Sequence, residues 1–139
     1  MVTAAEDIEA IKQLKARYFR LMDTKDWEEL VHVFTDDAVV DMSGEGGGIN
    51  RGGVEFVRTL RASIEQVTTV HHGHTPEVAL TSATTATGIW AMEDELWWPA
   101  GGPISHLHGF GHYHETYEKT PVGWCIKTMT LSRLHRDIG

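Results

Sequence analysis

The 139-residue sequence is poor in cysteine, in positive charge and in long apolar runs. Its single cysteine, Cys125, cannot form an internal disulfide, so nothing indicates an oxidising compartment. The net charge of −8, from 12 lysines and arginines against 20 aspartates and glutamates, disfavours nucleic acid or an anionic membrane as the main partner. No apolar stretch approaches the ~20 residues of a spanning helix. The N-terminus lacks the pattern of a signal peptide, so a cytoplasmic protein is expected.

The sequence does contain enough apolar residues for one compact domain. Hydrophobic residues make up 41% of the chain and charged residues 23%, which is typical of a globular protein rather than a disordered one. A chain of this length can bury a core without disulfides or a metal ion. We therefore expect residues 1–139 to form a single domain.

Three segments of the first half have the periodicity of helices. The first, capped by Thr3, carries apolar residues at spacings of three and four, namely Ile8, Ile11, Leu14, Tyr18 and Leu21. A short second helix is predicted around Trp27, with Asp23 or Thr24 as its cap. The third is predicted over "GVEFVRTLRASI".

The second half has the pattern of strands. Four stretches are rich in β-branched and aromatic residues: "VTTVHHGHTPEVAL", "TTATGIWAMEDELWW", "GFGHYHETYEK" and "GWCIKTMTLSRLH". A shorter strand, "TDDAVVDM", precedes the third helix, and the glycine-rich "SGEGGGINRGG" between them is interpreted as a mobile surface loop. Helices followed by antiparallel strands predict an α+β fold in which a curved sheet folds against the helices.

The stretch "HHGH" places three histidines within four residues, which is compatible with a metal site or a general base. Strand alternation puts His72 and His74 on one face of the sheet and His71 on the other. The later His-x-His pairs, in "HLHGFGHYHE", lack the spacing to an acidic ligand that a metal-binding barrel would use, and no zinc pattern occurs. We therefore predict no metal site.

Several titratable residues occupy faces that are otherwise predicted to be apolar. Tyr18 lies on the apolar stripe of the first helix. Asp23 lies about 140° further round that helix, so it either caps the helix or converges with Tyr18 on a cavity. Asp94 shares the inward face of its strand with apolar residues: Trp90, Met92, Leu96 and Trp98. A buried carboxylate needs a partner, and an inward Arg133 on the last strand is the natural counter-charge.

Four stretches together resemble the SnoaL-like branch of the NTF2-like superfamily: "EAIKQLKARYFRLMDTKDWEEL", "HHGHTPEVALTSATTATGIWAMEDEL", "HETYEKTPVGWCIKT" and "LSRL". The first two are similar to the bile acid 7α-dehydratases and, more distantly, to scytalone dehydratase. The third is common to the whole superfamily. The resemblance implies a conical α+β barrel in which three helices pack on a curved antiparallel sheet around one deep pocket.

The same resemblance implies roles for individual residues. Tyr18, Asp23 and His71 match the catalytic groups of these dehydratases. Asp94 and Arg133 match an inward aspartate and an arginine near the end of the last strand. Residues expected to contact the substrate, besides these two, are Met42, which stands where the family has a tyrosine, and Trp90, Met92, Leu96 and Trp98.

These groups predict a lyase that needs no cofactor. His71, oriented by Asp23, would remove an acidic C–H proton beside a ketone or enone, and Tyr18 would assist the oxyanion or the departing hydroxyl. The expected substrate is a hydrophobic polycyclic, steroid-like or aromatic hydroxy-ketone. Two alternatives stay open: an isomerase or cyclase that uses the same pocket, and a non-enzymatic ligand-binding or assembly module such as the small subunit of a ring-hydroxylating dioxygenase.

The outer face of the predicted sheet indicates self-association. A curved sheet with helices on one side leaves its other face open, and that face would carry Trp97, His72 and His74. Such a patch is costly to expose. We therefore expect a homo-oligomer, either a dimer or a trimer.

Overall fold

The computed structural model describes all 139 residues and confirms the α+β class. Its three helices are α1 (Ala4–Asp23), α2 (Trp27–Val31) and α3 (Gly53–Ile64). Its six strands are β1 (Phe34–Asp41), β2 (Ile49–Arg51), β3 (Thr68–Leu80), β4 (Thr85–Trp97), β5 (His106–Thr120) and β6 (Gly123–Ile138). None of the helices combines the length and the apolar composition that crossing a bilayer requires.

The caps of the first two helices determine where each helix begins. The Thr3 hydroxyl accepts a hydrogen bond from the Glu6 backbone N–H at 3.1 Å, as expected for the cap of α1. The prediction that Asp23 or Thr24 caps α2 is wrong, because Asp26 takes that position and accepts from the Glu29 N–H. Since α1 continues to Asp23, the carboxylate of this residue is free to bind another element.

The sheet has the order β2-β1-β6-β5-β4-β3. Strands β3 to β6 form an antiparallel meander, whereas β1 pairs with β6 in parallel, so the sheet is mixed rather than wholly antiparallel. It is also open, because β2 and β3 are edge strands that do not pair with each other. The glycine-rich segment expected to be a loop holds a 3-10 turn (Ser43–Glu45) and β2.

The core lies between the helices and one face of the sheet, which we call the inner face. Burial alternates along β4: Trp90, Met92 and Asp94 are buried, while Ile89 and Trp97 are exposed. The buried apolar residues of α1, which include Ile11 and Leu14, pack onto this face. Each such side chain contributes about 1.5–3 kcal/mol on burial.

Gly73 lets the C-terminal half of α1 approach β3 closely. A Cβ atom at this position would lie 2.7 Å from Cε2 of Phe19. A larger residue would push the helix away from the strand, because side chains in a packed core have little room to move. The close approach brings the end of α1, and with it Asp23, against β3.

Candidate active site

The carboxylate of Asp23 binds His71 through two contacts. Its Oδ1 lies 2.7 Å from Nδ1 of the imidazole, and its Oδ2 accepts the backbone N–H of the same residue at 2.8 Å. The hydroxyl of Thr69 donates to Oδ1 at 2.9 Å and itself accepts from the Lys25 ammonium at 3.0 Å. An ionised carboxylate can only accept, so Nδ1 is the donor in this contact, and in the neutral form of the ring Nε2 keeps a lone pair.

His71 faces the interior, and its neighbours on β3 face out. Its exposed fraction is 9%, and its ring stacks on Phe19 with the centroids 6.4 Å apart. His72 and His74 are exposed on the opposite face of the strand. The predicted strand register is therefore confirmed.

A cavity of about 270 Å³ opens beside the imidazole, between the inner face of the sheet and α3. Its walls are mainly apolar, and the polar groups that line it include His71, Asp94 and Arg133. The remaining lining residues are Tyr18, Met22, Met42, Glu45, Gly47, Asn50, Phe56, Thr59, Leu60, Ser63, Ile64, Leu96, Trp98, Leu107, Tyr113 and Leu131. Such a wall suits an apolar ligand oriented by a few polar contacts.

The buried carboxylate of Asp94 is paired with Arg133, as the sequence predicted. The guanidinium donates two hydrogen bonds to it, at 2.7 and 2.9 Å, and two more to Oε1 of Glu45, at 3.0 and 2.9 Å. Burial opposes the charge of Arg133, but the two carboxylates outweigh it and raise the pKa of the guanidinium. The opposite charge of Arg133 compensates Asp94, whose exposed fraction is only 2%.

This ion pair connects to the imidazole. Oδ2 of Asp94 lies 3.7 Å from Nε2 of His71, on the side opposite Asp23. The ring therefore stands between two carboxylates, one of which is already neutralised by an arginine. An imidazolium formed at Nε2 has a nearby acceptor, and a neutral ring keeps its lone pair towards the cavity.

Gly109 on β5 provides the space for the Asp94–Arg133 pair. A Cβ atom at this position would come within 2.6 Å of Oδ1 of Asp94 and would also collide with the arginine Nη1. A larger residue at position 109 would therefore displace the Asp94–Arg133 pair by steric contact.

Two phenols, those of Tyr18 and Tyr113, form part of the cavity wall. Their rings meet edge to face with the centroids 5.9 Å apart. Burial is the main cause that raises the pKa of both hydroxyls above the ordinary value. Both phenols therefore stay protonated at neutral pH and can donate a hydrogen bond.

A buried cation lies behind these rings. Nζ of Lys15 is 4.1 Å from the ring centroid of Tyr18 and 3.6 Å from that of Tyr113. It also lies 2.5 Å from Oε2 of Glu115, whose other oxygen accepts from the Tyr117 hydroxyl at 2.6 Å. Burial lowers the pKa of Lys15 to about 8, and the charge of Glu115 acts in the opposite direction.

The structure brings together most, but not all, of the residues proposed from the sequence. Seven of them line the cavity: Tyr18, Met42, His71, Asp94, Leu96, Trp98 and Arg133. Asp23 stands behind His71, outside the lining. Trp90 and Met92 are buried on the same face of β4 but do not line the cavity. The indole N–H of Trp90 donates to the Tyr117 hydroxyl at 2.9 Å, and Sδ of Met92 lies 3.7 Å from Nη1 of Arg133.

Sequence reasoning missed five polar residues that line the cavity: Glu45, Asn50, Thr59, Ser63 and Tyr113. Tyr113 shares the buried face of β5 with Glu115 and Tyr117, a period-2 signal that the surrounding histidines obscured. Glu45 lies in the glycine-rich segment, for which the sequence predicts no function. The buried amide of Asn50 accepts from the Thr59 hydroxyl at 2.9 Å. No set of three or more histidine, cysteine or acidic side chains is placed to hold a metal ion.

The similarity to known proteins covers almost the whole length of this chain. The "Probable cyclase FGR4" of Gibberella zeae is 23% identical over 144 residues, which cover 97% of this chain and 96% of that protein. The crystal structure of the Kfla4162 protein of Kribbella flavida is 25% identical, with a TM-score of 0.88, and covers 97% of this chain and 95% of its own. The structure described as "Putative Scytalone Dehydratase", from Novosphingobium aromaticivorans, is 21% identical, with a TM-score of 0.83 and coverage of 94% and 85%.

The family assignment rests on a match over most of the sequence. The model of the SnoaL-like domain matches residues 3–130, from the cap of α1 to the middle of β6. The matched range contains Tyr18, Asp23, His71 and Asp94, whereas Arg133 follows it. The chain belongs to the SnoaL-like family within the NTF2-like superfamily.

Proposed function

We propose that this protein is a cofactor-independent lyase that removes water from a hydrophobic hydroxy-ketone. The observation that carries the proposal is the placement of His71. Asp23 fixes its Nδ1–H at 2.7 Å, and the ring borders a mainly apolar cavity. A neutral imidazole with a fixed tautomer and an accessible Nε2 is suited to act as a general base.

The proposed reaction needs only proton transfers. Nε2 of His71 takes a proton from the carbon beside the carbonyl, and the electron pair of the broken C–H bond forms an enolate. The β-hydroxyl then leaves as the double bond forms, and the imidazolium returns its proton to give water. Asp23 stabilises the imidazolium between these steps. This electrostatic stabilisation is larger in a site from which water is excluded.

Tyr18 supplies the electrostatic part of the proposal. Its phenol is protonated and lies in the cavity wall, so it can donate a hydrogen bond to the developing oxyanion. Tyr113 is a second donor in the same wall. Asp94, held by Arg133, adds an acceptor beside the imidazole and orients polar groups of the substrate.

The cavity supports a compact apolar substrate. Its volume of about 270 Å³ is at the lower end of the range for ligand pockets. Leu96, Trp98 and Leu107 contribute apolar wall, and the charged or titratable contacts come from His71, Asp94 and Arg133. A small ring system with one ketone and one hydroxyl therefore fits better than a long or highly charged molecule.

The similar proteins support the same reaction class. The family, together with relatives named as a cyclase and a scytalone dehydratase, indicates an enzyme of the lyase or isomerase kind. An isomerase or cyclase is the second candidate, because one relative that covers almost the whole chain is named as a probable cyclase. A passive binding module is the weaker alternative, since it has no need for an oriented base.

A screen of β-hydroxy-ketones tests the proposal. Aromatic and polycyclic members are incubated with the protein, and the gain of enone absorbance and the loss of one water by mass are followed. We expect turnover of at least one compact apolar member and none with His71→Ala. Migration of a double bond or ring closure without loss of water would favour the second candidate. Thermal stabilisation by small hydrophilic acids alone would contradict the proposed substrate class.

A further inference from the structure

Asn50 is the only amide side chain in the wall of the cavity. It lies on the edge strand β2 between Ile49 and Arg51, which are both exposed, whereas its own exposed fraction is 5%. Its partner in the register is Val40 on β1, which is completely buried, so the amide points to the inner face of the sheet. A polar side chain in such a position is costly to bury unless its hydrogen-bonding groups have partners.

Only one end of this amide has a partner in the protein. The Thr59 hydroxyl of α3 donates a hydrogen bond to Oδ1 at 2.9 Å, which fixes the orientation of the group, and no side chain or backbone oxygen accepts from Nδ2. Every fully enclosed side-chain nitrogen and oxygen of the chain is hydrogen-bonded, so Nδ2 must reach open space, and Asn50 borders the cavity. The cavity therefore contains an N–H donor that the reaction steps described above do not use.

Asn50 and His71 border the cavity from opposite edges of the sheet. Asn50 lies on β2 and His71 on β3, with β1, β6, β5 and β4 between them. Because the sheet is curved, both side chains reach one cavity of about 270 Å³. A ligand that fills this cavity can contact the imidazole with one end and the amide with the other.

The charges of the cavity favour a neutral acceptor over an anion. Arg133 is the only lysine or arginine in the wall, and its N–H groups are already directed to Asp94, Glu45 and Sδ of Met92. A carboxylate or phosphate group would therefore find no free cation and would be repelled by the two carboxylates. An ether or carbonyl oxygen offers Nδ2 a lone pair without this repulsion.

We propose that Nδ2 of Asn50 binds a neutral ether or carbonyl oxygen at the end of the substrate remote from the carbon that His71 deprotonates. The identification of this ligand as the substrate rests on the proposed function, whereas the binding preference itself needs no turnover. The substrate is thus an apolar ring system with oxygen at both ends. A ligand without the remote oxygen leaves the amide donor unpaired, and a site with an unpaired buried donor discriminates strongly against such a ligand.

Matched pairs of tetralones test the proposal by isothermal titration calorimetry. These bicyclic ketones carry no β-hydroxyl, so they bind without losing water. The members of each pair carry a methoxy or an ethyl group at the same carbon of the aromatic ring, and each ring position is tried in turn. The two groups are similar in size and differ in one acceptor oxygen. We expect the wild type to bind the methoxy member of at least one pair about tenfold more tightly, the effect of one hydrogen bond in a site that excludes water.

Three variants assign the preference to the amide. Asn50→Leu removes the donor and should abolish the preference for the methoxy member. Asn50→Asp keeps the shape and the hydrogen bond from Thr59 and should abolish it too, because a carboxylate cannot donate, so a folding defect in one variant does not decide the result. Gln66→Leu removes an exposed amide outside the cavity and should keep the wild-type preference. Melting temperatures are recorded for all three.

The outcomes separate this inference from the proposed function. If no pair shows the preference, or if the folded Asn50 variants retain it, the Asn50 contact is refuted, whatever the screen of hydroxy-ketones finds. A methoxy preference that depends on Asn50, in a protein that dehydrates no hydroxy-ketone, would support the contact and count against the dehydratase. Thr59→Val adds a check on orientation: without the hydroxyl the amide can turn over, so the preference for a methoxy over an amino substituent should become smaller than in the wild type.

Discussion

Asp23 fixes both the ring and the backbone of His71, with Oδ1 at 2.7 Å from Nδ1 and Oδ2 at 2.8 Å from the backbone nitrogen. The pair joins the last residue of α1 to the N-terminal part of β3, and the two residues are 48 positions apart in sequence. One carboxylate thus determines the position, the tautomer and the charge stabilisation of the proposed base.

Asp23→Asn should therefore reduce turnover while the protein remains folded. The amide is nearly isosteric, but it loses the negative charge and can present a donor to Nδ1, which favours the wrong tautomer. We expect a loss on the order of 10²-fold in kcat. Adding this change to His71→Ala should cause little further loss, because both disable one proton transfer. Additive losses would show that Asp23 acts independently of the imidazole.

Tyr18→Phe should lower kcat by about 10²-fold, the usual effect of removing one donor to an oxyanion. Because only a hydroxyl is lost, the melting temperature should change little. Tyr113→Phe is the matched comparison, since both phenols line the cavity. If Tyr113→Phe impairs turnover and Tyr18→Phe does not, the donor has been assigned to the wrong phenol.

Gly109→Ala should disturb the Asp94–Arg133 pair without contacting Asp23 or His71 directly. The new methyl group collides with Asp94 and Arg133, so the pair must separate or shift. We expect a raised KM and a weaker thermal shift with an accepted ligand. Gly102→Ala, where the nearest atom lies 3.9 Å from the new Cβ, is the control and should resemble wild type. Equal effects of the two changes would contradict a steric role for Gly109.

Lys15→Met should be strongly destabilising, by about 3–5 kcal/mol, because it leaves a buried carboxylate without its partner. Both side chains of the Lys15–Glu115 pair are fully buried. The double change Lys15→Met/Glu115→Leu removes both charges and should recover much of the lost stability. Urea unfolding of the wild type and the variants measures this. A double variant less stable than Lys15→Met would show that the charges do not act as a pair.

Much of the fold could be predicted from the sequence, because its signals are local. The apolar stripe of α1 and the alternation in β4 each determine which face is buried. The parallel pairing of β1 with β6 could not be predicted in this way. The two strands are about 90 residues apart, and the sequence of neither strand indicates which strand it pairs with. The cap of α2 was misplaced because Asp23, Thr24 and Asp26 are all good capping residues.

The candidate site could likewise be predicted from the sequence only in part. Strand alternation predicted that Asp94 points inward and that Arg133 is its counter-charge, and it put His71 on the face opposite His72 and His74. The family resemblance predicted that the face of His71 is the inner one, and the structure places all three residues at the cavity. Alternation gives only the face of a strand, not which of its residues border a cavity, so it places Trp90 and Met92 at the cavity although neither lines it. The contact of Glu45 with Arg133 joins residues that are 88 positions apart, and only the folded chain reveals it.

The identity of the base is tested most directly by comparing His71→Ala with His72→Ala on one accepted hydroxy-ketone. These adjacent residues differ in the face of β3 that they occupy, and so in access to the cavity. We expect the kcat of His71→Ala to fall roughly 10²–10⁴-fold and the kcat of His72→Ala to stay close to that of the wild type. Melting temperatures are recorded for both variants to exclude unfolding. Full activity of His71→Ala, or loss of activity only in His72→Ala, would contradict the assignment of His71 as the general base.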